Sequence, residues 1–216
     1  MRWLFSSNAR HGTRPTSLPT RVAAAPADPA VERVLLAMAS AVLGTLDACD
    51  AEGGLAEHCA RVAALAARLA EACAVPAADA RLLERAARLH EVGRIGLAPR
   101  GACGDERTLD GVRAHAAVGA HIVRRTEGEL AGWLVEQQYA DYEALRLRVA
   151  PADSRLLLAG ILRVADVADV LEPRPGCAAG GADWAHTVLA GGRGTRFHPA
   201  AVDAWTRLRA QAFAGR

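Results

Sequence analysis

Leu82-Leu83-Glu84-Arg85-Ala86-Ala87-Arg88-Leu89-His90-Glu91-Val92-Gly93-Arg94-Ile95-Gly96 is the stretch on which the reading of this chain turns. An apolar helical stripe runs straight into an adjacent imidazole and carboxylate, and the glycines at 93 and 96 bracket the turn that ends it. A buried His-acid pair is expensive without a partner, and a cation is the commonest one. Three further ionisable side chains lie on apolar helical rows elsewhere. His58 continues the row Val62, Leu65, Leu69; His115 stands with Val112, Gly119 and Ile122; Asp166 follows Leu158, Leu162 and Ala165. A single histidine on such a row is usually a core or rim residue. Four ionisable positions on four helices point elsewhere: converged on a divalent ion, they satisfy one another. Mixed imidazole and carboxylate ligands suit iron or manganese better than a structural zinc, which prefers thiolates.

Around that stretch the chain reads as helix after helix. Residues 1–29, with prolines at 15, 19, 26 and 29, are expected to be an extension ahead of a domain spanning 30–216. Amphipathic spacing predicts helices from Ala30 to Leu46, through His58 to Cys73, over Ala77–Val92 and over Leu109–Arg125. A fifth begins near Gly128 and is expected to continue through Asp141–Arg148; Leu145–Ser154 is ambiguous. Another runs from Arg155 to Leu171, and short helices follow near 183–190 and 199–213, with Pro199 suited to a first helical position. Val75-Pro76 is a stop, and 97–108 and 173–182 are loops. No strand-like alternation persists, so the expected fold is all-α, a compact multi-helix bundle.

Composition narrows the function classes. The 216 residues, 51% hydrophobic and 23% charged, can build one sizeable core. All 26 basic residues are Arg. A net charge of +2 and only 4% aromatic residues argue against a nucleic-acid polymer as partner. Cys49, Cys59, Cys73, Cys103 and Cys177 form no Cys-x-x-Cys pair and read as free thiols in a reducing compartment. Neither a secretory signal nor a membrane span is seen, so a cytoplasmic protein is expected.

Taken in order, the strings His58-Cys-Ala-Arg-Val62, Leu89-His-Glu-Val-Gly-Arg-Ile-Gly96, His115-Ala-Ala-Val-Gly119, Ile161-Leu-Arg-Val-Ala-Asp-Val-Ala-Asp169, Arg174-Pro175 and Gly192-Arg-Gly-Thr-Arg-Phe-His-Pro199 carry a family likeness. From about Asp50 to Trp205 the chain resembles the HD-GYP branch of the HD phosphohydrolase superfamily, bacterial phosphodiesterases that degrade cyclic di-GMP. The resemblance implies an HD-domain helical bundle in which His58, His90 and Asp166 are metal ligands, with Glu91 where the family has Asp. It places His115 at a ligand of a second metal and Arg94 where the family has a phosphate-contacting Lys. The family's glutamate ahead of the first His corresponds to Glu52 with a two-residue insertion, and otherwise to Gly54. Asp169, one turn past Asp166, is a candidate partner behind the ligands or a base on the phosphate side; a solvated or capping Asp is the other reading.

The chain departs from the family after His115. Where the resemblance calls for paired histidines stand Gln137-Gln138, and neutral amides are poor ligands beside imidazoles. The Gly-Tyr-Pro loop falls on Leu145-Arg146-Leu147 and keeps none of its residues. One divalent ion, iron or manganese rather than zinc, is therefore the expected cofactor. Three functions stay open. One is a regulatory or interaction module of cyclic-nucleotide signalling, contacting cyclic di-GMP or signalling proteins, with hydrolysis reduced or lost. Another is a working single-metal hydrolase of some other nucleotide or phosphoester. The last is a metal-free helical scaffold.

Overall fold

Gly54, in the left-handed region at φ 85°, opens helix α1 (Leu55–Ala72), and Ala74 at φ 54° with Pro76 behind it closes the turn into α2 (Ala77–Leu89). The computed structural model describes residues 54–96, 109–172 and 183–214. The expected extension 1–29, the helix from Ala30, Glu52, the loops 97–108 and 173–182, and Arg174-Pro175 lie outside the described residues. After α2 come a 3-10 helix (Val92–Gly96), α3 (Leu109–Glu127), α4 (Glu129–Glu136), α5 (Tyr142–Arg146), α6 (Ser154–Leu171), α7 (Asp183–Gly191) and α8 (Pro199–Ala214). Among the described residues there is no strand, only an isolated bridge between Arg193 and Phe197. The all-α bundle expected from periodicity is the fold observed.

α6 is the axis of the domain. Every residue from 158 to 168 is buried, as expected of a helix apolar on all sides with neighbours all round it. α1 packs against both it and α2, with Val62, Ala63, Ala66, Leu69 and Ala70 of α1 and Ala86 and Ala87 of α2 buried in the common core. α3 pairs with α4 and with the 3-10 helix. Asp153 caps α6: its Oδ1 accepts the backbone N–H of Arg155 at 3.0 Å.

Two glycines fix where α3 lies. A Cβ placed on Gly93 would fall 1.9 Å from the carbonyl oxygen of His115 and 2.4 Å from the backbone nitrogen of Gly119. The turn after α2 therefore rests directly on the α3 backbone, which only glycine permits. That contact brings His115 beside Glu91.

One predicted helix does not exist as expected. The segment from Gly128 does not continue through Asp141–Arg148; α4 ends at Glu136 and the chain turns through 137–141 before the short α5. The backbone N–H groups of Tyr142 and Glu143 donate to the carbonyls of Arg196 (3.1 Å) and Thr195 (2.8 Å), so a distant loop captures the start of α5. That loop is the Gly191-Gly-Arg-Gly194 segment and its sequel, a turn with Gly194 at φ 81°. α2 also stops three residues short of Val92, with His90 as its C-cap.

Candidate metal centre

His90 leaves the end of α2 fully buried, and its ring is held from behind: Nδ1–H donates to the carbonyl of Ala87 at 2.7 Å. His58, on the edge of the α1 stripe, is held in the same way by a carboxylate, its Nδ1–H donating to Asp169 Oδ2 at 2.8 Å. Both acceptors are oxygens without protons, so in both rings Nδ1 carries a hydrogen, and Nε2 is the nitrogen that can offer a lone pair once its own proton has left. The two Nε2 atoms face each other at 3.3 Å. Asp166 Oδ1 completes the group, 3.4 Å from His58 Nε2 and 3.8 Å from His90 Nε2. Two imidazole nitrogens and a carboxylate turned on one point need positive charge among them, a ring proton or a cation. Ligand atoms about 2.1 Å from a common ion stand roughly 3.0–3.5 Å from one another. The 3.3 and 3.4 Å spacings fit a divalent cation, and the 3.8 Å spacing is slightly wider. Among the described residues, His58, His90 and Asp166 are the group able to hold one.

The surroundings are built to the same end. Asp169, one turn beyond Asp166 on α6, also accepts from Arg61 Nε (2.7 Å) and Nη2 (3.1 Å), so two residues of α1, His58 and Arg61, are paired with one carboxylate. Burial alone would raise the Asp169 carboxyl, but hydrogen bonds from His58 and Arg61 hold it down at about 2. Such a partner fixes the tautomer and the aim of the ring. Asp169→Ala is expected to weaken manganese binding by roughly 10–100-fold, measured by calorimetric titration. Undiminished affinity would take Asp169 out of the site.

The remaining expected ligands form a neighbouring group. Glu91 Oε1 lies 3.6 Å from His90 Nε2 and 3.6 Å from His115 Nε2. Between Glu91 and His115 stands Tyr139, which sequence reading passed over: its hydroxyl donates to Glu91 Oε1 at 3.1 Å and meets His115 Nε2 at 3.1 Å. His115 Nε2 thus lies within reach of both the phenol oxygen and Glu91. His115, which the resemblance places at a ligand of a second metal, stands beside Glu91 and Tyr139, next to the His58–His90–Asp166 group and not within it. Burial, then the charges of Glu91 and Asp166, push the Tyr139 phenol well above its usual range, so it remains a donor. Burial would raise Glu91 too, but His115, His90 and Arg94 bring it down to about 2.

Gln137 and Gln138 point to other work. Gln137 Oε1 accepts from Arg148 Nη2 at 3.1 Å, and the buried Gln138 donates from Nε2 to the backbone carbonyl of His90 at 3.1 Å. Arg94 Nε sits 3.3 Å from Glu91 Oε2 at the edge of the group. His186 and His121 are exposed and His198 is half-buried, and none of them belongs to this group.

An all-α domain in which three helices bring two histidines and an aspartate together is of a class able to hold a metal ion. The particular family is also clear. Residues 55–171 match the HD domain model, more than half of the 216, and the chain belongs to the HD domain family. That span contains His58, His90 and Asp166, and the family is one of metal-dependent phosphohydrolases. A search of curated proteins returned no match.

Proposed function

We propose that this chain is a divergent HD-GYP-type protein of the cytoplasm that holds one divalent cation between His58, His90 and Asp166. It recognises a nucleotide there, cyclic di-GMP or a related phosphoester, with hydrolysis slow or lost. Its role is then regulatory, reporting ligand state to a signalling partner. One observation carries the reading: two imidazoles, each fixed through Nδ1, aim their Nε2 atoms at each other 3.3 Å apart beside a carboxylate. Nitrogen and carboxylate donors without a thiolate favour manganese or iron over zinc.

A divalent ion in such a place lowers the pKa of a water and polarises a phosphoryl oxygen. The chain's own residues supply the rest. Asp169 and the Ala87 carbonyl orient the two rings, and Arg94 brings a forked cation to the rim of the turn, suited to a phosphate. Slow turnover is favoured by Tyr139, which engages Glu91 and His115 beside the candidate ligands, and by amides at 137 and 138 directed elsewhere. A second reading, a working single-cation hydrolase of another phosphoester, is favoured by the complete set of hydrogen bonds behind His58 and His90.

Metal analysis of protein purified without chelator decides first. About one manganese or iron per chain is expected, and a value near zero defeats both readings. Assays with cyclic di-GMP and with a generic phosphoester, manganese added, then separate them. Little turnover of either supports the regulatory protein; brisk turnover abolished by His90→Ala supports the hydrolase.

Proton competition gives a further expected result. Burial alone lowers the His58 pKa, but hydrogen bonds to Asp166 and then Asp169 outweigh it and raise the value from 6.5 to about 9 in the metal-free site. Below that value a cation must displace a proton, so affinity should climb up to tenfold per pH unit between 6.5 and 9, then level off. Metal-free stability runs the other way. The raised pKa contributes stability that is fully present below 6.5 and is lost as pH rises through about 9. Manganese titrations and melting curves across that window test both; a pH-independent affinity would show that no ring proton is displaced.

A further inference from the structure

Arg163 lies one turn ahead of Asp166 on α6, and it is buried with only 9% of its surface exposed. A buried guanidinium ordinarily spends its planar fork of N–H groups on carboxylate or backbone oxygens, because leaving them unpaired is costly. This one makes no hydrogen bond within the described residues. Its Nε is sealed from solvent without a partner, and it alone of the three nitrogens is in that state. The closest carboxylate oxygen is Asp166 Oδ2, 3.8 Å from Nη1 and beyond hydrogen-bond reach. Asp141 acts on it only from farther off.

What does hold Arg163 is aromatic. Its guanidinium carbon lies 5.6 Å from the centre of the Tyr139 ring and 6.0 Å from that of Phe197. Aromatic faces stabilise the cation and fix its position, yet they offer nothing to its in-plane donors. The edge of the fork is therefore positioned and unsatisfied. Its place matters as much as its state. Asp166 turns Oδ1 towards His58 and His90 and Oδ2 towards Arg163, so one carboxylate separates the guanidinium from the cation-binding group. Tyr139 likewise shows its ring to Arg163 and its hydroxyl to Glu91 and His115.

We propose that Arg163 is an anion-binding residue of this centre, whose Nη groups, the end of the fork that is not sealed from solvent, receive a phosphoryl oxygen of the ligand. The chemical class is a phosphate mono- or diester, for which a guanidinium is the matching donor. The proposal rests on the cation-centred phosphoester site argued above. It makes Arg163 and the cation two positive poles on either side of Asp166, with Arg94 at the rim.

The test compares the wild type with Arg163→Met, similar in length and uncharged, and Arg163→Lys, charged but without a fork. Circular dichroism establishes folding, metal analysis gives manganese per chain, and calorimetry with inorganic phosphate as the probe is run with and without manganese. The expected result is unchanged manganese content in all three, with phosphate binding weakened at least tenfold by methionine and less by lysine. Unaltered phosphate affinity in a folded, metal-loaded methionine variant overturns the proposal. So does loss of manganese together with phosphate, which would make Arg163 a positioning residue for Asp166. So does a wild type that binds no phosphate. Should the methionine variant not fold, the lysine variant decides: phosphate affinity equal to that of the wild type overturns the proposal. The underlying reading fails separately, on manganese content of the wild type. A metal-free wild type with phosphate binding that depends on Arg163 would defeat that reading and leave this one standing.

Discussion

His90→Ala should empty the cation site: bound manganese is expected to fall from about one per chain to near zero, a loss of affinity greater than roughly 100-fold. The magnitude follows from comparison, since removing a group that merely orients a ligand already costs about 10–100-fold, and here a ligand itself is removed. Nothing nearby can replace it. Glu91 Oε1, 3.6 Å from His90 Nε2, is engaged by Tyr139, and His58 is fixed by Asp169. The fold should survive, because Gln138 holds the backbone carbonyl of residue 90 rather than its ring. His90→Gln, which keeps more of the buried volume, guards against a collapse of the pocket. Metal analysis alongside circular dichroism reads the outcome. Full manganese occupancy in a folded His90→Ala protein would mean that the cation lies elsewhere.

Gly93→Ala is expected to be the most damaging single methyl group in the described structure. Its Cβ would meet His115 O at 1.9 Å, Gly119 N at 2.4 Å and Gly119 Cα at 2.9 Å. All three are backbone atoms of α3, so no rotamer change relieves the clash; the turn or the helix must move. Overpacking in cores costs about 1–3 kcal/mol, and a clash with backbone belongs at or above the top of that range. At roughly 2–4 °C per kcal/mol for a domain of this size, the melting temperature should fall by about 6–12 °C. Gly119→Ala makes a useful contrast. Its Cβ would approach Gly93 N and the flexible Val135 Cγ1 at 3.2 Å, so a milder loss is expected. Equal melting temperatures for Gly93→Ala and the wild type would show that the turn does not rest on α3 as described.

Much of this was legible in the chain itself, for definable reasons. α1 and α6 bury continuous stripes whose period is local information, and the ends of α1 are written in Gly54 and Pro76. His58, His90 and Asp166 could be picked out because each interrupts an apolar row where a charged group would otherwise be expensive. The break at 137–141 could not be seen. No glycine or proline marks it, and its cause is the pairing of Tyr142 and Glu143 with carbonyls more than fifty residues away. That error concealed Tyr139. On a continuous helix it is one more polar position, whereas in the turn its hydroxyl reaches Glu91 and His115. Arg163 was hidden by the opposite bias, a single basic residue inside an apolar run that reads as a tolerated surface position. Asp169 was half visible: its spacing from Asp166 suggested a supporting role, and only the fold shows the ring it supports.

The three candidate ligands come from places far apart in the chain, 32 residues from His58 to His90 and another 76 from His90 to Asp166 (166 − 90). An ion gripped by all three therefore acts as a clasp across loops that an unfolded chain holds open. Uptake becomes a late event, available only to molecules whose α1, α2 and α6 have already found each other. The holoprotein should then outlast the apoprotein against heat and proteases by an amount that grows with free ion concentration, as mass action requires. In a cell, the supply of that metal would set how long each copy of this protein survives, quite apart from anything it does to a nucleotide.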